Sequence, residues 1–314
     1  METESQLVLQ VEGLKQQLID REKNEHFTVY VEKKLDFYSG DFIGLLGPSG
    51  CGKTTLLTVL GLLRAPSNVE EMQHFKLYVP SAAGNYELID LQAAWQNRNR
   101  KLIEGLRRRH IGFALQSGEL ISSLTVRENI GFPLRLNHWP EKKIDQRVSQ
   151  LLDQFALSRV KESVVTADAV TDLSIQSSNG TSGMEKAAAD SQPENQLAGS
   201  RINRLSGGEY QRVSLARSIS HFPSVVFVDE PTSALNRELA NGALTVMHNL
   251  QQEVEHPGIT FMITHDEYLA EKFCNVVVRM APRHGESAGE VVDVVRKSKP
   301  VPIGSDSQKV AGQS

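Results

Sequence analysis

Gly47-Pro48-Ser49-Gly50-Cys51-Gly52-Lys53-Thr54 fits the pattern G-x-x-x-x-G-K-[ST] at every defined position. A loop of this spacing binds phosphate because its glycines let successive backbone N–H groups turn inward, and a helix starting at the loop adds its positive dipole end. The ammonium of Lys53 then reaches the β- and γ-phosphates, the hydroxyl of Thr54 ligates Mg²⁺, and Thr55 continues the nucleotide-contacting run. A matching pair of carboxylates closes the run Val225–Glu230, VVFVDE. A strand ending in Asp229 would set one carboxylate beside the loop to hold the hydrated metal ion. Glu230, one residue on, would polarise the attacking water. A third element, Leu205-Ser206-Gly207-Gly208-Glu209, offers a hydroxyl and two glycine N–H groups at a helix start, which is a second anion nest. At the distance the sequence implies, that nest cannot serve the phosphate loop of its own chain.

These groups need elements to hold them. DFIGLLG (41–47) is a short apolar run ending in glycine, as a buried strand would be, and TTLLTVLGLL after the loop is apolar at helical spacing. Strand, glycine-rich loop and helix thus follow in order. Residues 27–38, FTVYVEKKLDFY, read as strand with partial alternation. LYV (77–79) and YELIDL (86–91) read as strand fragments around the turn SAAGN, and WQNRNRKLIEGLRRRH as a basic helical stretch. The Arg107-Arg108-Arg109 run within it is either an anion site or a solvated helix face. IGFALQ (111–116) reads as a strand ending in Gln116, and helical spacing runs from 125 to 160. Residues 174–200 are rich in Ser, Asn, Gln and Gly and bury too little apolar surface to offset ordering, so a flexible loop is expected. SVVFVDE (224–230) and GITFMITH are buried-strand patterns flanking a helix at 237–253, and CNVVVRM with GEVVDVV reads as a strand pair.

Lys and Arg number 34 and Asp and Glu 38, a formal net charge of −4, with 39% hydrophobic and 23% charged residues. That balance excludes a disordered chain and a basic nucleic-acid arm. No run of ~18 apolar residues is present, so no membrane-spanning helix is expected. METESQLVLQVEG has no basic start followed by an apolar stretch, so no signal peptide is expected either. Cys51 and Cys274 cannot build a disulfide framework, which fits a reducing compartment.

Gly47–Thr54, LSGGE and VVFVDEP occur together and in one order, and over about residues 5–295 the chain resembles the ABC (ATP-binding cassette) ATPases. The resemblance implies an α/β fold: a RecA-like P-loop core, an inserted helical subdomain and an N-terminal antiparallel β element covering the nucleotide. It implies a core in two parts, 1–116 and 223–297, a helical signature subdomain at 117–222 with an insertion near 165–200, and a loose tail at 298–314. It implies ATP and Mg²⁺ as ligands. Ser206, Gly207 and Gly208 would cap the γ-phosphate of an ATP held by a second subunit. Gln116 resembles the glutamine that contacts Mg²⁺ or water and senses the helical lobe. His265, after the strand FMIT, resembles the histidine that contacts the γ-phosphate and orders Glu230.

The chain also departs from the family pattern. Ser233-Ala234-Leu235-Asn236 ends in Asn where Asp is usual, and Asn24 stands where an aromatic residue usually stacks on adenine. Phe27, near it, is either the adenine platform or a core strand residue. Extra length lies near 66–108 and 165–200, as subfamily insertions or tolerated loops.

IGFALQSGELISSLTVRENIGFPLRL (111–136) resembles the lipoprotein-release and macrolide-export branch, whereas DEPTSALN is closer to solute importers. The family reading implies an ATPase that works as a homodimer with separate integral membrane permease subunits. It would be cytoplasmic and peripheral on the inner face of the membrane, without a nucleic-acid partner. An importer ATPase and a regulatory cassette that moves no substrate remain as alternatives. One P-loop, no long heptad arms and no cysteine clusters argue against cassettes acting on ribosomes or DNA.

Overall fold

The computed structural model describes residues 6–20, 25–81, 84–115, 120–157, 197–231, 235, 237–252 and 255–297. Gln116, Asn24, Ser233, Ala234, Asn236, residues 158–196, which take in most of the polar stretch, and the tail from 298 lie outside the described residues. In chain order the elements are β1 (Leu7–Glu12), β2 (Leu14–Asp20), β3 (Glu25–Val31), β4 (Leu35–Tyr38), β5 (Phe42–Leu46), α1 (Lys53–Leu60), β6 (His74–Pro80), β7 (Tyr86–Asp90), α2 (Leu91–Gln96), α3 (Arg100–His110), β8 (Ile111–Ala114), α4 (Val126–Leu136), α5 (Glu141–Gln154), α6 (Gly207–Ile219), β9 (Val225–Asp229), α7 (Arg237–Gln252), β10 (Ile259–Ile263), α8 (Glu267–Phe273), β11 (Val276–Pro282) and β12 (Ala288–Arg296).

An eight-stranded sheet runs in the order β2-β3-β12-β11-β5-β10-β9-β8. Its centre, β11-β5-β10-β9-β8, is parallel, while β11–β12 and β2–β3 pair antiparallel. The central strands are buried on both faces, and alternate residues feed two cores. Val225, Phe227, Ile259, Phe261 and Ile263 join one cluster. Val226, Val228 and Met262 join the other. On the first face Phe113, Phe227 and Phe261 stack across β8, β9 and β10, with ring centroids 5.5 and 5.2 Å apart. Leu56, Leu57 and Leu60 of α1 pack on that face and are buried, each contributing roughly 1.5–3 kcal/mol. On the second face lie α4, α5, α6, α7 and α8, whose apolar stripes share one cluster with the sheet. The buried Arg147 of α5 donates to the Ser220 carbonyl just past α6 and sits 4.2 Å from the Phe222 ring, which ties the two helices where the α6 dipole favours a cation.

A second, antiparallel sheet runs β4-β1-β6-β7. Two expectations change here. The stretch 27–38 is not one strand: Glu32, Lys33 and Lys34 are all exposed, so the chain leaves the large sheet after Val31 and enters the small one at Leu35. The extra length at 66–108, left open as an insertion or a tolerated loop, supplies β6 and β7, where strand fragments were expected, with α2 and α3, and it buries Phe75, Leu77, Leu91, Ile103 and Leu106. The basic helical run from Trp95 to His110 also breaks at Asn97–Asn99, where Asn99 caps α3 by accepting from the Leu102 N–H.

Candidate nucleotide site

The parallel strands deliver three segments to one edge of the sheet. Residue register places Ile263 beside both Leu45 and Asp229. The loop after β5, the turn after β9 and the turn after β10 therefore open together, at the carboxyl ends of the strands. Between them lies a cleft of about 340 Å³.

The loop from Gly47 to Gly52 is shaped by backbone that side chains would obstruct. Gly52 has φ +93°, and a Cβ there would lie 2.3 Å from Val29 Cγ2. A Cβ on Gly47, φ +156°, would meet the Met280 carbonyl at 2.4 Å. β12 supports the loop from below: a Cβ on Gly289 would sit 2.0 Å from the Cys51 carbonyl. Cys51 itself is buried, and burial raises its thiol above the ordinary value. α1 has Gly52 at its N-cap and no side chain capping it, so its first-turn N–H groups and dipole face the cleft. Lys53 is buried, and its Nζ donates to the Gly47 and Pro48 carbonyls, 2.8 Å each. Ser49, Gly50, Thr54 and Thr55 line the cleft with it.

Thr54 Oγ1 donates to Asp229 Oδ2 at 3.4 Å. Asp229 is buried, and burial first, then the neighbouring charge of Glu230, raises its carboxyl above the usual range against the opposing pull of Thr54 and Lys53. Glu230 has φ +47°, a left-handed conformation that costs a non-glycine residue about 1 kcal/mol or more. Three bonds hold it there. Its N–H donates to the Ile263 carbonyl at 2.9 Å, its carbonyl accepts from Gln211 Nε2 at 2.9 Å, and Oε1 lies 2.9 Å from His265 Nε2. His265 follows the buried Thr264, whose hydroxyl accepts the Asp266 N–H and fixes the turn into α8.

The far wall is apolar. Leu18 of β2 and Phe27 of β3 are register partners, and both line the cleft. Of the antiparallel strands near the N-terminus, the β2–β3 pair of the large sheet lines this cleft and the small sheet does not. The cleft lining does not include Ser206, Gly207 or Gly208. Ser206 caps α6 and forms a capping box with Glu209: its hydroxyl accepts the Glu209 N–H, and the Glu209 carboxylate accepts the Ser206 N–H. Ser206 and Gly207 are exposed.

Sequence reasoning missed four residues that shape the site: Leu18, Gly289, Ile263 and Gln211. Only Gly289 carried a local signal, a glycine at the start of a strand, which marks close backbone approach.

A glycine-rich loop opening a helix, a buried Asp at the end of β9, one strand removed from the loop's own β5, and a Glu–His pair beyond it define a P-loop ATPase of the cassette type. The family model described as ABC transporter matches residues 32–233, and the chain belongs to that family. It is 31% identical over 81% of its length to the lipoprotein-releasing system ATP-binding protein LolD 1 of Rhodopseudomonas palustris, spanning 87% of that protein. It is 30% identical over 86% of its length to the spermidine/putrescine import ATP-binding protein PotA of Thermotoga maritima, of which it spans 55%. Among solved structures, the ATP-binding cassette MJ0796 in a dimeric post-hydrolysis state, bound to ADP and Pi, aligns with a TM-score of 0.65 at 20% identity, over 93% of this chain and 99% of that one. Among the described residues, no helix is long and apolar enough to cross a membrane.

Proposed function

We propose that this ATPase closes as a homodimer around two MgATP and drives a separate integral membrane subunit, in the direction of export or mechanical release. The observation that carries the reading is the separation of the two anion sites. Lys53 and the α1 N-terminus face one cleft, while the Ser206 nest is exposed and outside it. A nest built of a capping hydroxyl and glycine N–H groups is complete only against a phosphate from elsewhere, and a second copy of the chain brings one. The LolD-type relative favours release or export, and the PotA relative keeps import as a second reading.

In this reading the loop N–H groups, Lys53 and Thr55 hold the triphosphate, and Leu18 and Phe27 flank the base. The Thr54 hydroxyl and the Asp229 carboxylate suit Mg²⁺, which prefers hard oxygen donors and is usually held by one or two protein groups plus phosphate. Bound there, Mg²⁺ would supply charge neutralisation at the phosphates. Glu230 accepts a proton from the attacking water, and His265 fixes the direction of that carboxylate. Gln116 is proposed to sense the helical lobe. A groove of about 340 Å³ between α3, β8, α4 and α6, with Arg107, Arg108 and Arg217 around Phe132 and Pro133, is proposed to receive a segment of the membrane subunit. The helical segment 117–222 and the core halves 1–116 and 223–297 would then turn against each other as ATP binds.

The test is Glu230→Gln with MgATP on size exclusion. Losing general-base assistance costs roughly 10²–10⁴-fold in rate and leaves ATP binding intact. The variant should therefore run as a dimer, while Asp229→Asn should stay monomeric. A Glu230→Gln chain that remains monomeric at saturating MgATP overturns the reading.

A further inference from the structure

We infer that Gln211 is a positioning residue that couples the two nucleotide sites through α6, an inference that rests on the dimer reading above. α6 begins at Ser206, and its first turn carries the exposed nest. Five residues further, about 7.5 Å along the helix axis, Gln211 Nε2 donates at 2.9 Å to the Glu230 carbonyl. One rigid helix therefore touches two different catalytic centres. Its start would engage the phosphate held by the other copy, and its second turn holds the backbone of this copy's own Glu230.

The acceptor is a sensitive one. Glu230 sits at φ +47°, and such a conformation persists only when the surroundings hold it. Its N–H is fixed by the Ile263 carbonyl of β10, so the strand side of the turn is anchored. Its carbonyl is fixed from the helix side by Gln211. Any rotation of the Glu230 peptide swings its side chain, and with it the contact to His265 Nε2. α6 is also tied to the segment that precedes α4, because the Tyr210 hydroxyl, next to Gln211, accepts the Leu120 N–H at 3.1 Å, so a shift of that segment reaches α6 beside Gln211. Seating of the nest on one ATP thus sets the aim of the carboxylate that hydrolyses the other. Such coupling is positive cooperativity between sites, read as a Hill coefficient above 1.

Two variants of the full chain separate this role from a structural one. Gln211→Met keeps the length of the side chain and removes the donor. Gln211→Lys keeps a donor of similar reach. In ATPase assays across ATP concentration, Gln211→Met should lower kcat by about 3- to 10-fold, the range of one neutral hydrogen bond. It should leave KM within about twofold and bring the Hill coefficient to about 1. Gln211→Lys should restore both kcat and the Hill coefficient. In a Glu230→Gln background, Gln211→Met should still form the MgATP dimer. If that dimer forms while Gln211→Met keeps the wild-type kcat and Hill coefficient, the coupling is overturned and the dimer reading stands. Equal losses in the Met and Lys variants, with a lowered thermal midpoint, also overturn it, because the role is then structural. If Glu230→Gln alone stays monomeric with MgATP, the dimer reading falls and takes the coupling with it.

Discussion

His265 and Glu230 meet across two neighbouring parallel strands: Nε2 of the first lies 2.9 Å from Oε1 of the second. Each follows the last residue or so of its strand, β10 for His265 and β9 for Glu230. The pairing of Ile263 with Asp229 fixes their separation. The contact restricts the carboxylate of Glu230 to one direction, at a residue whose backbone is already left-handed. A base held in place loses less orientation entropy in the reaction than one that must find its position.

His265→Ala should therefore lower kcat by about 10²-fold while KM for ATP changes little, because orientation of a general base acts in the chemical step. Steady-state ATPase kinetics check this. An unchanged kcat would show that Glu230 is aimed by other groups.

Gly50 and Gly52 share a positive φ but differ in surroundings. At Gly50, φ +79°, a Cβ would meet nothing within 4 Å. At Gly52 it would meet Val29 at 2.3 Å and Phe27 at 3.1 Å. Gly50→Ala should cost only the backbone strain, about 1 kcal/mol, whereas Gly52→Ala adds overpacking of about 1–3 kcal/mol. Chemical denaturation of both variants without nucleotide should show the larger loss at Gly52. Equal losses would mean that the β3 side chains yield without cost.

Contiguous signals were legible in the sequence. The phosphate loop, VVFVDE and LSGGE are each one short run, and the chemistry of each needs residues close in the chain. The strand β9 was legible because four apolar residues in a row, Val225–Val228, imply burial on both faces. What was not legible depends on distant pairing. β6 and β7 read as short strand fragments, but their sheet depends on pairing with the distant β1, so 66–108 stayed open between an insertion and a tolerated loop. The change of sheet at Glu32–Lys34 is a three-residue event that periodicity cannot separate from a continuing strand. Leu18 lines the cleft only because its register partner is Phe27. The bond from Gln211 to the Glu230 carbonyl spans two elements and leaves no pattern at all.

Phe27 and Leu18 form the apolar wall opposite the phosphate loop. Phe27→Ala should raise KM for ATP by about tenfold, since stacking of an aromatic ring on a base is worth roughly 1–3 kcal/mol. Inhibition by tripolyphosphate, which has no base, should stay the same. A parallel loss of tripolyphosphate inhibition would mean that Phe27 acts by packing against Gly52 and shaping the loop, not by contact with the base.

The last prediction concerns acid. His221 is buried and His110 half-buried at the junction of α3, β8 and the end of α6. His110 Nδ1 lies 3.1 Å from Ser224 Oγ, and His221 Nε2 lies 3.2 Å from the Ile111 carbonyl. Burial pushes His110 down to about 4, helped by the charges of Arg109 and His221, and burial pushes His221 down to about 4 against the Ile111 carbonyl. Both are thus neutral in the fold at values where an unfolded chain, with ordinary values near 6.5, already binds the proton. The unfolded state gains protons first as the pH falls, so stability declines from about pH 6.5 to about pH 4 and levels once the folded histidines protonate as well. Each contributes at most about 3 kcal/mol to that decline, and the two are near enough to share it. His221→Asn should flatten the profile in that window relative to the wild type, whatever it does to absolute stability at pH 8. Urea midpoints at half-unit pH steps give the comparison. Parallel profiles for the two proteins would mean that the acid sensitivity comes from other groups, such as the half-buried His248, whose pKa is also lowered by partial burial.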